Sequence, residues 1–189
     1  MQGFDIRPGA EGLRGLVRED VVAMTEQAVL ATFYCAPLTA AQIAANRKIP
    51  EISGPAVFGA AEAEHQHLVT AFRGGLLIGY MIATRHSLSD LELDWLMIHP
   101  AAHGTGVAAA LMKEGLGWLG EDRPVWLTVI KHNGRAIAFY RKFGFEIDQA
   151  TLIDRPVPTW IMRRHRRPAR QPMDWPGIAT SQGLKPSSA

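Results

Sequence analysis

Leu91-Glu-Leu-Asp-Trp-Leu-Met-Ile-His-Pro-Ala-Ala-His-Gly-Thr-Gly-Val-Ala-Ala-Ala-Leu-Met112 decides how this chain folds. Its first half, Leu91 to His99, reads as a strand ended by Pro100. Its second half, from about Thr105 to Leu119, reads as a helix ended by Gly120. Between them Gly104, Gly106 and Ala108 leave backbone N–H groups uncovered where the helix begins. Free donors and the positive end of the helix dipole together make an anion site suited to a pyrophosphate. Larger residues there would hold phosphates away from the backbone. Two other readings compete: a tight turn with glycines for geometry alone, and a dinucleotide fingerprint, since Gly104-x-Gly106-x-x-Ala109 fits G-x-G-x-x-A. The fingerprint also requires an acidic residue near the end of the next strand, where Lys131 and His132 stand, and a continued βαβ alternation that this chain lacks.

Working outward, Phe4 to Gly9 suggests a first strand closed by Pro8-Gly9. Apolar residues at helical spacing from Ala10 to Phe33 predict a helix ended before Pro37. Thr39 is placed to cap a second helix, Ala40 to about Lys48, and Pro50 to Pro55 is expected to be a loop. His67 to Arg73 and Leu76 to Arg85 flank Gly74-Gly75, a hairpin signal. Pro124 to Ile130 has the apolar, β-branched character of a buried strand. Asn133 opens a helix to Phe143, stopped at Gly144, and Phe145 to Ile153 and Pro158 to Arg164 supply two last strands. The order β-α-α-β-β-β-α-β-α-β-β predicts an α/β fold: a mixed sheet with helices on its faces.

The second chemical stretch is Asn133-Gly-Arg-Ala-Ile-Ala-Phe-Tyr-Arg-Lys-Phe-Gly-Phe145. Together with His103-Gly-Thr-Gly106-Val-Ala108, it resembles the GNAT superfamily of N-acetyltransferases. That family's phosphate signature is Gln/Arg-x-x-Gly-x-Gly/Ala, and its second signature is Asn-x-x-Ala-x-x-Phe-Tyr-x-Lys-x-Gly-Phe. The second is met at every fixed position. The likeness spans Phe4 to about Arg164, with specific motifs only between Leu91 and Phe145. One departure is His103, where the family has Gln or Arg, which puts a side-chain phosphate contact from that position in doubt.

The resemblance implies a sheet of about seven strands with helices on both faces, and acetyl-CoA as co-substrate without a metal. His103, Gly104, Thr105, Gly106, Val107, Ala108 and Ala109 would cradle the pyrophosphate. Leu96, Met97 and Ile98 would pair with the pantetheine arm where two parallel strands splay, and the N–H near Ile98 would face the oxyanion. Tyr140 would protonate the departing thiolate; as an aromatic between Phe139 and Phe143 it has a packing role available too. Asn133 can cap its helix, contact the cofactor, or both, and Ala136 would be small so that the arm passes. An attacking amine must first lose a proton. Glu92 and Asp94, two residues apart on one strand and so on one face unless a bulge intervenes, are candidate general bases, directly or through water; the alternatives are a carboxylate pair at a strand edge, or charges that attract a cationic amine.

The rest of the composition fits a soluble globular protein with a proper core. With 189 residues, 47% apolar and 20% charged, the chain suits one domain, taken as residues 1–166, followed by a Pro/Ser-rich tail, 167–189, expected to be disordered. No apolar run approaches the ~18 residues that span a bilayer, and no signal peptide is visible. Cys35 is the single cysteine, read as a small buried hydrophobe in a reducing, cytoplasmic setting. Arg163, Arg164, Arg166, Arg167 and Arg170 form a basic run, read as solvated rather than as a grip on nucleic acid or membrane. His65 and His67 lack a third ligand for a metal. Met97, Met112, Trp95 and Trp126 are read as core or cofactor-wall residues. The expected activity is transfer from acetyl-CoA to a small-molecule or peptide amine in a ternary complex; the alternative is a non-catalytic acyl-CoA-binding module on the same fold. A homodimer stays open.

Overall fold

The computed structural model describes residues 3–34, 37–151 and 154–165. Cys35, most of the arginine run and the tail 167–189 lie outside them. The chain forms β1 (Asp5–Pro8), α1 (Arg18–Phe33), α2 (Ala40–Glu62), β2 (Gln66–Arg73), β3 (Leu76–Arg85), β4 (Leu91–Ile98), α3 (Val107–Leu119), β5 (Val125–Ile130), α4 (Gly134–Arg141), β6 (Phe145–Asp148) and β7 (Thr159–Arg164). The seven strands make one mixed sheet in the order β1-β2-β3-β4-β5-β7-β6. Every neighbouring pair is antiparallel except β4 and β5.

Side-chain alternation along the strands divides the core in two. Leu68, Phe72, Tyr80 and Ile82 pack with Val21, Met24 and Val57 of α1 and α2. Val69, Ala71, Met81 and Ala83 pack with Leu111 and Met112 of α3, in a cluster that continues through β5 to Tyr140 and Phe145. Helices therefore cover both faces, and the sheet's middle strands are buried on both sides.

Several boundaries differ from the sequence expectation. The first helical stretch divides into a 3-10 turn, Gly9–Leu13, and α1. Gly15, with φ of +78°, cannot continue a right-handed helix, and Asp20 restarts it by accepting the Val17 N–H at 3.1 Å. The segment Pro50 to Pro55 is not a loop: α2 runs straight through it to Glu62. Each interior proline removes one helical bond and costs about 3 kcal/mol. Against that, Pro50, Ser53, Gly54, Val57 and Ala60 are all buried, and Ser53 Oγ donates to the Pro50 carbonyl at 2.7 Å. Packing on α1 and the sheet outweighs local propensity. Strand β6 stops at Asp148, short of Ile153, because the Asp148 carboxylate accepts the N–H groups of Ala150 and Thr151 and turns the chain. Ile153 itself is outside the described residues.

Two irregularities position the site. Strands β4 and β5 pair directly only at Glu92 and Trp126; beyond that point they part. The β3–β4 register also steps, with Ala83 opposite Leu93 but Ile82 opposite Trp95, which leaves Asp94 as the extra residue of a bulge. Trp95 and Met97 thus face the α1/α2 side while Leu96 and Ile98 face α3.

Candidate active site

A cavity of about 660 Å³ opens where β4 and β5 diverge. Residues 93–98 and 128–130 form its strand walls, the glycine turn and α4 one end, and α1, α2 and the loop 155–157 the other. Past Glu92 the β5 side of β4 has no strand neighbour, so its backbone groups are available to an extended ligand.

The glycine turn has the geometry of an anion cradle. Gly104 and Gly106 hold φ of +76° and +92°, and a Cβ built at either meets nothing within 4 Å, so the space over the turn is open. Gly106 is the N-cap of α3, whose first N–H groups are uncovered there. Thr105 steadies the approach by donating its hydroxyl to the Ala102 carbonyl at 2.7 Å. Val107 faces the core, fully buried, and is not exposed to a ligand through its side chain.

His103 faces the cleft opposite α4. Arg135 crosses from the start of α4 and donates from Nη1 to His103 Nδ1 at 2.9 Å. Burial first, and then the Arg135 guanidinium, hold the imidazole's pKa below its ordinary value, partly offset by the Ile98 carbonyl. The position that carries Gln or Arg in the signature is thus a neutral ring leaning on an arginine supplied from elsewhere. Arg135 lines the same cavity and was not singled out from sequence. Its only signal there is a basic residue two places after Asn133; nothing in the spacing reveals that it meets a residue 32 positions earlier.

On α4, Asn133 caps the helix by accepting the Ala136 N–H at 3.0 Å, and both residues line the cavity. Tyr140 lines it as well, 8% exposed, set edge-on against Phe139 and Phe145. Burial pushes its phenol up to about 12, so it is a protonated donor throughout the physiological range.

The two carboxylates separate in position. Asp94 lines the cavity and keeps substantial exposure at the bulge. Glu92, 7% exposed, sits behind it and bonds His86 Nε2 at 2.8 Å. Burial raises the pKa of Glu92; the His86 bond opposes this and the neighbouring Asp94 charge adds to it. Burial raises Asp94 also, opposed by His86 and Arg155. His86 stacks on Trp126, whose indole N–H donates to Asp90 at 2.7 Å, which fixes the imidazole over β5. Elsewhere, His67 stacks on Trp118 at 5.2 Å. No group of three His, Cys, Asp or Glu among the described residues is placed to hold a metal, and no helix among them is long and apolar enough to cross a membrane.

Comparison with known proteins agrees with this geometry. Residues 36–145 match the acetyltransferase (GNAT) family. An uncharacterised N-acetyltransferase of Mycobacterium bovis is 41% identical over 83 residues, 43% of this chain and 53% of that protein. The N-alpha-acetyltransferase RimI of Mycobacterium tuberculosis is 33% identical over 96 residues, 49% of this chain and 60% of that one. The chain therefore spans only about half the length of the curated relatives it matches. Among solved structures, the PaiA N-acetyltransferase of Thermoplasma acidophilum in complex with coenzyme A superposes with a TM-score of 0.67 over 86% of this chain and 99% of that one, at 18% identity. A GNAT-family structure from Desulfovibrio desulfuricans gives 0.61 over the same share of this chain and 99% of its own, at 16% identity. These structures share the fold. Since the family match covers more than half of the residues, with its two motifs on the cavity wall, the chain belongs to the GNAT acetyltransferase family.

Proposed function

We infer that the protein transfers an acetyl group from acetyl-CoA to an amine by direct attack in a ternary complex. The observation that carries this is the junction of three features in one cavity: parted parallel strands, an open glycine turn at a helix start, and a buried phenol. The open space above Gly104 and Gly106 fits a diphosphate, whose oxygens the N–H groups at the start of α3 would hold, with Ala108 and Ala109 too small to block them. The free edge of Leu96, Met97 and Ile98 would take the amides of the pantetheine arm, as a strand takes a neighbour. The N–H near Ile98 would then stabilise the carbonyl oxygen as it gains charge. The single cysteine fits a reducing, cytoplasmic setting.

The proton balance assigns the remaining residues. An ammonium acceptor gives one proton to a carboxylate so that its lone pair can attack. The N–C bond forms, the C–S bond breaks, and the second nitrogen proton ends on sulfur. Asp94, on the cavity wall, would receive the first proton or hold the ammonium, with Glu92 behind it as a positioning residue. Tyr140 would donate a hydrogen bond to the departing sulfur. Complete transfer from a phenol at about 12 to a thiolate of ordinary basicity runs uphill by about 5 kcal/mol. A phenol that only lends its hydrogen bond, while the sulfur takes its proton from nitrogen, avoids that cost.

Tyr140→Phe tests the assignment. We expect kcat to fall about 10²-fold while the Kd for acetyl-CoA, measured by calorimetry, stays within a factor of about two. Unchanged turnover with every amine would remove Tyr140 from the mechanism.

A further inference from the structure

The far end of the cavity, beneath α1 and α2, differs from the donor end. Phe33 of α1 and Ala45 and Ile49 of α2 make its wall apolar, and one amide interrupts it. Asn46 lines the cavity at 1% exposure, and neither its Nδ2 nor its Oδ1 has a hydrogen-bond partner. The donor and the acceptor of this side-chain amide are thus gathered at one point of an apolar wall, where leaving a buried polar group unmet costs about 1–3 kcal/mol. Such a group in a folded protein calls for an explanation, and a ligand that offers both an acceptor and a donor supplies one.

Charge narrows the ligand further. Among the described residues the one carboxylate that lines the cavity is Asp94, reinforced from behind by Glu92; of the lining cations Arg135 and Lys142 belong to the glycine-turn end, and Arg155 stands at this one. Arg155 makes no hydrogen bond or ion pair to the described residues, and its charge reaches both carboxylates across the opening. This wall accommodates a single ammonium and repels a polycation.

We propose that the acceptor is an apolar monoamine whose amine stands beside an amide, the chemistry of an amino-acid amide or of a peptide's amino terminus. The amine meets Asp94, the apolar side chain lies against Phe33 and Ile49, and the amide presents its C=O and N–H to Asn46. This rests on the acetyl-transfer reading and adds the acceptor class to it.

Thiol release from acetyl-CoA is measured with leucinamide, with a tripeptide beginning in leucine, with isoamylamine, which keeps the apolar chain and lacks the amide, and with spermidine. The expected kcat/KM for leucinamide or the tripeptide exceeds that for isoamylamine by roughly tenfold or more, with spermidine lowest. A tripeptide faster than leucinamide points to peptides as the source, and the reverse to free amino amides. In Asn46→Leu, which keeps the branched shape and removes the amide, the leucinamide-to-isoamylamine ratio falls toward one. Equal rates for leucinamide and isoamylamine, as when Asn46 holds only a water, overturn the proposal; so do a preference for spermidine and a ratio unmoved by Asn46→Leu. Rates are compared per unprotonated amine, because an α-amine ionises at ~8 and an alkylamine at ~10.4; on that basis the wild-type comparison decides by itself if that variant fails to fold. Calorimetric binding of acetyl-CoA separates the two levels: binding without the amide preference removes the acceptor class alone, while absent binding removes the transfer reading beneath it.

Discussion

An arginine that leans on a neutral histidine at the lip of a glycine turn is a cation held ready for an anion. In the structure Arg135 donates to His103 and so brings a cation beside the position where the signature carries Gln or Arg. A charge-assisted bond to phosphate at a partly exposed site is worth about one factor of ten in affinity once screening is counted. Arg135→Gln should therefore weaken coenzyme A binding roughly tenfold and flatten its dependence on salt, as titration calorimetry at two ionic strengths would show. Equal weakening of phosphate-free acetyl-pantetheine would mean that Arg135 acts on the fold rather than on the anion. Glu92 yields a second prediction at this scale. Its carboxyl is raised in the native state and ordinary in the unfolded chain, so the native state keeps its proton longer. Stability should fall as pH climbs from the ordinary glutamate value through the raised one, and level off above it. In Glu92→Gln that slope should shrink in urea titrations taken between pH 4 and 8; an unchanged slope would place its origin elsewhere.

At the scale of the element, α2 explains both what the sequence conveyed and what it concealed. Thr39 announced the start: its hydroxyl accepts the Gln42 N–H and the Gln42 side chain returns to the Thr39 N–H. Pro50 and Pro55 then suggested a stop that does not occur, because proline is judged locally whereas the residues that outvote it, Ser53, Val57 and Ala60, are buried by partners far along the chain. Gly54 marks the closest contact: a Cβ there would lie 3.3 Å from the Arg18 Cβ and carbonyl and 3.4 Å from Val22. Gly54→Leu should accordingly push α1 and α2 apart and cost about 1–3 kcal/mol of stability, read as a lower urea midpoint with an unchanged slope. A cost near zero would mean that the two helices are looser than drawn. The strands were far more legible. The ends of β3 and β5 agree with expectation to within one residue, since a Gly-Gly turn, prolines and alternating apolar residues are local signals. The bulge at Asp94 was not, for it depends on how β4 meets β3.

Over the whole molecule, one order of strands produces the site. A parallel pair in an otherwise antiparallel sheet, joined only at Glu92 and Trp126, opens a cleft that the glycine turn closes at one end and α1 and α2 close at the other. The glycine-turn half of this cleft was readable because its two motifs are contiguous in sequence: Gly104, Asn133, Ala136 and Tyr140, which line it, are carried by two short segments. The rest is assembled from distant residues. His86 on Glu92, Arg135 on His103, and Asn46 and Arg155 facing the same space are consequences of topology that no local pattern records. The direct test is release of thiol from acetyl-CoA by purified protein, followed with and without a primary amine. Thiol release that requires the amine, is matched mole for mole by acetylated amine, and collapses in Tyr140→Phe is the predicted result. Thiol release at the same rate without amine, or none with any amine despite bound acetyl-CoA, would contradict it.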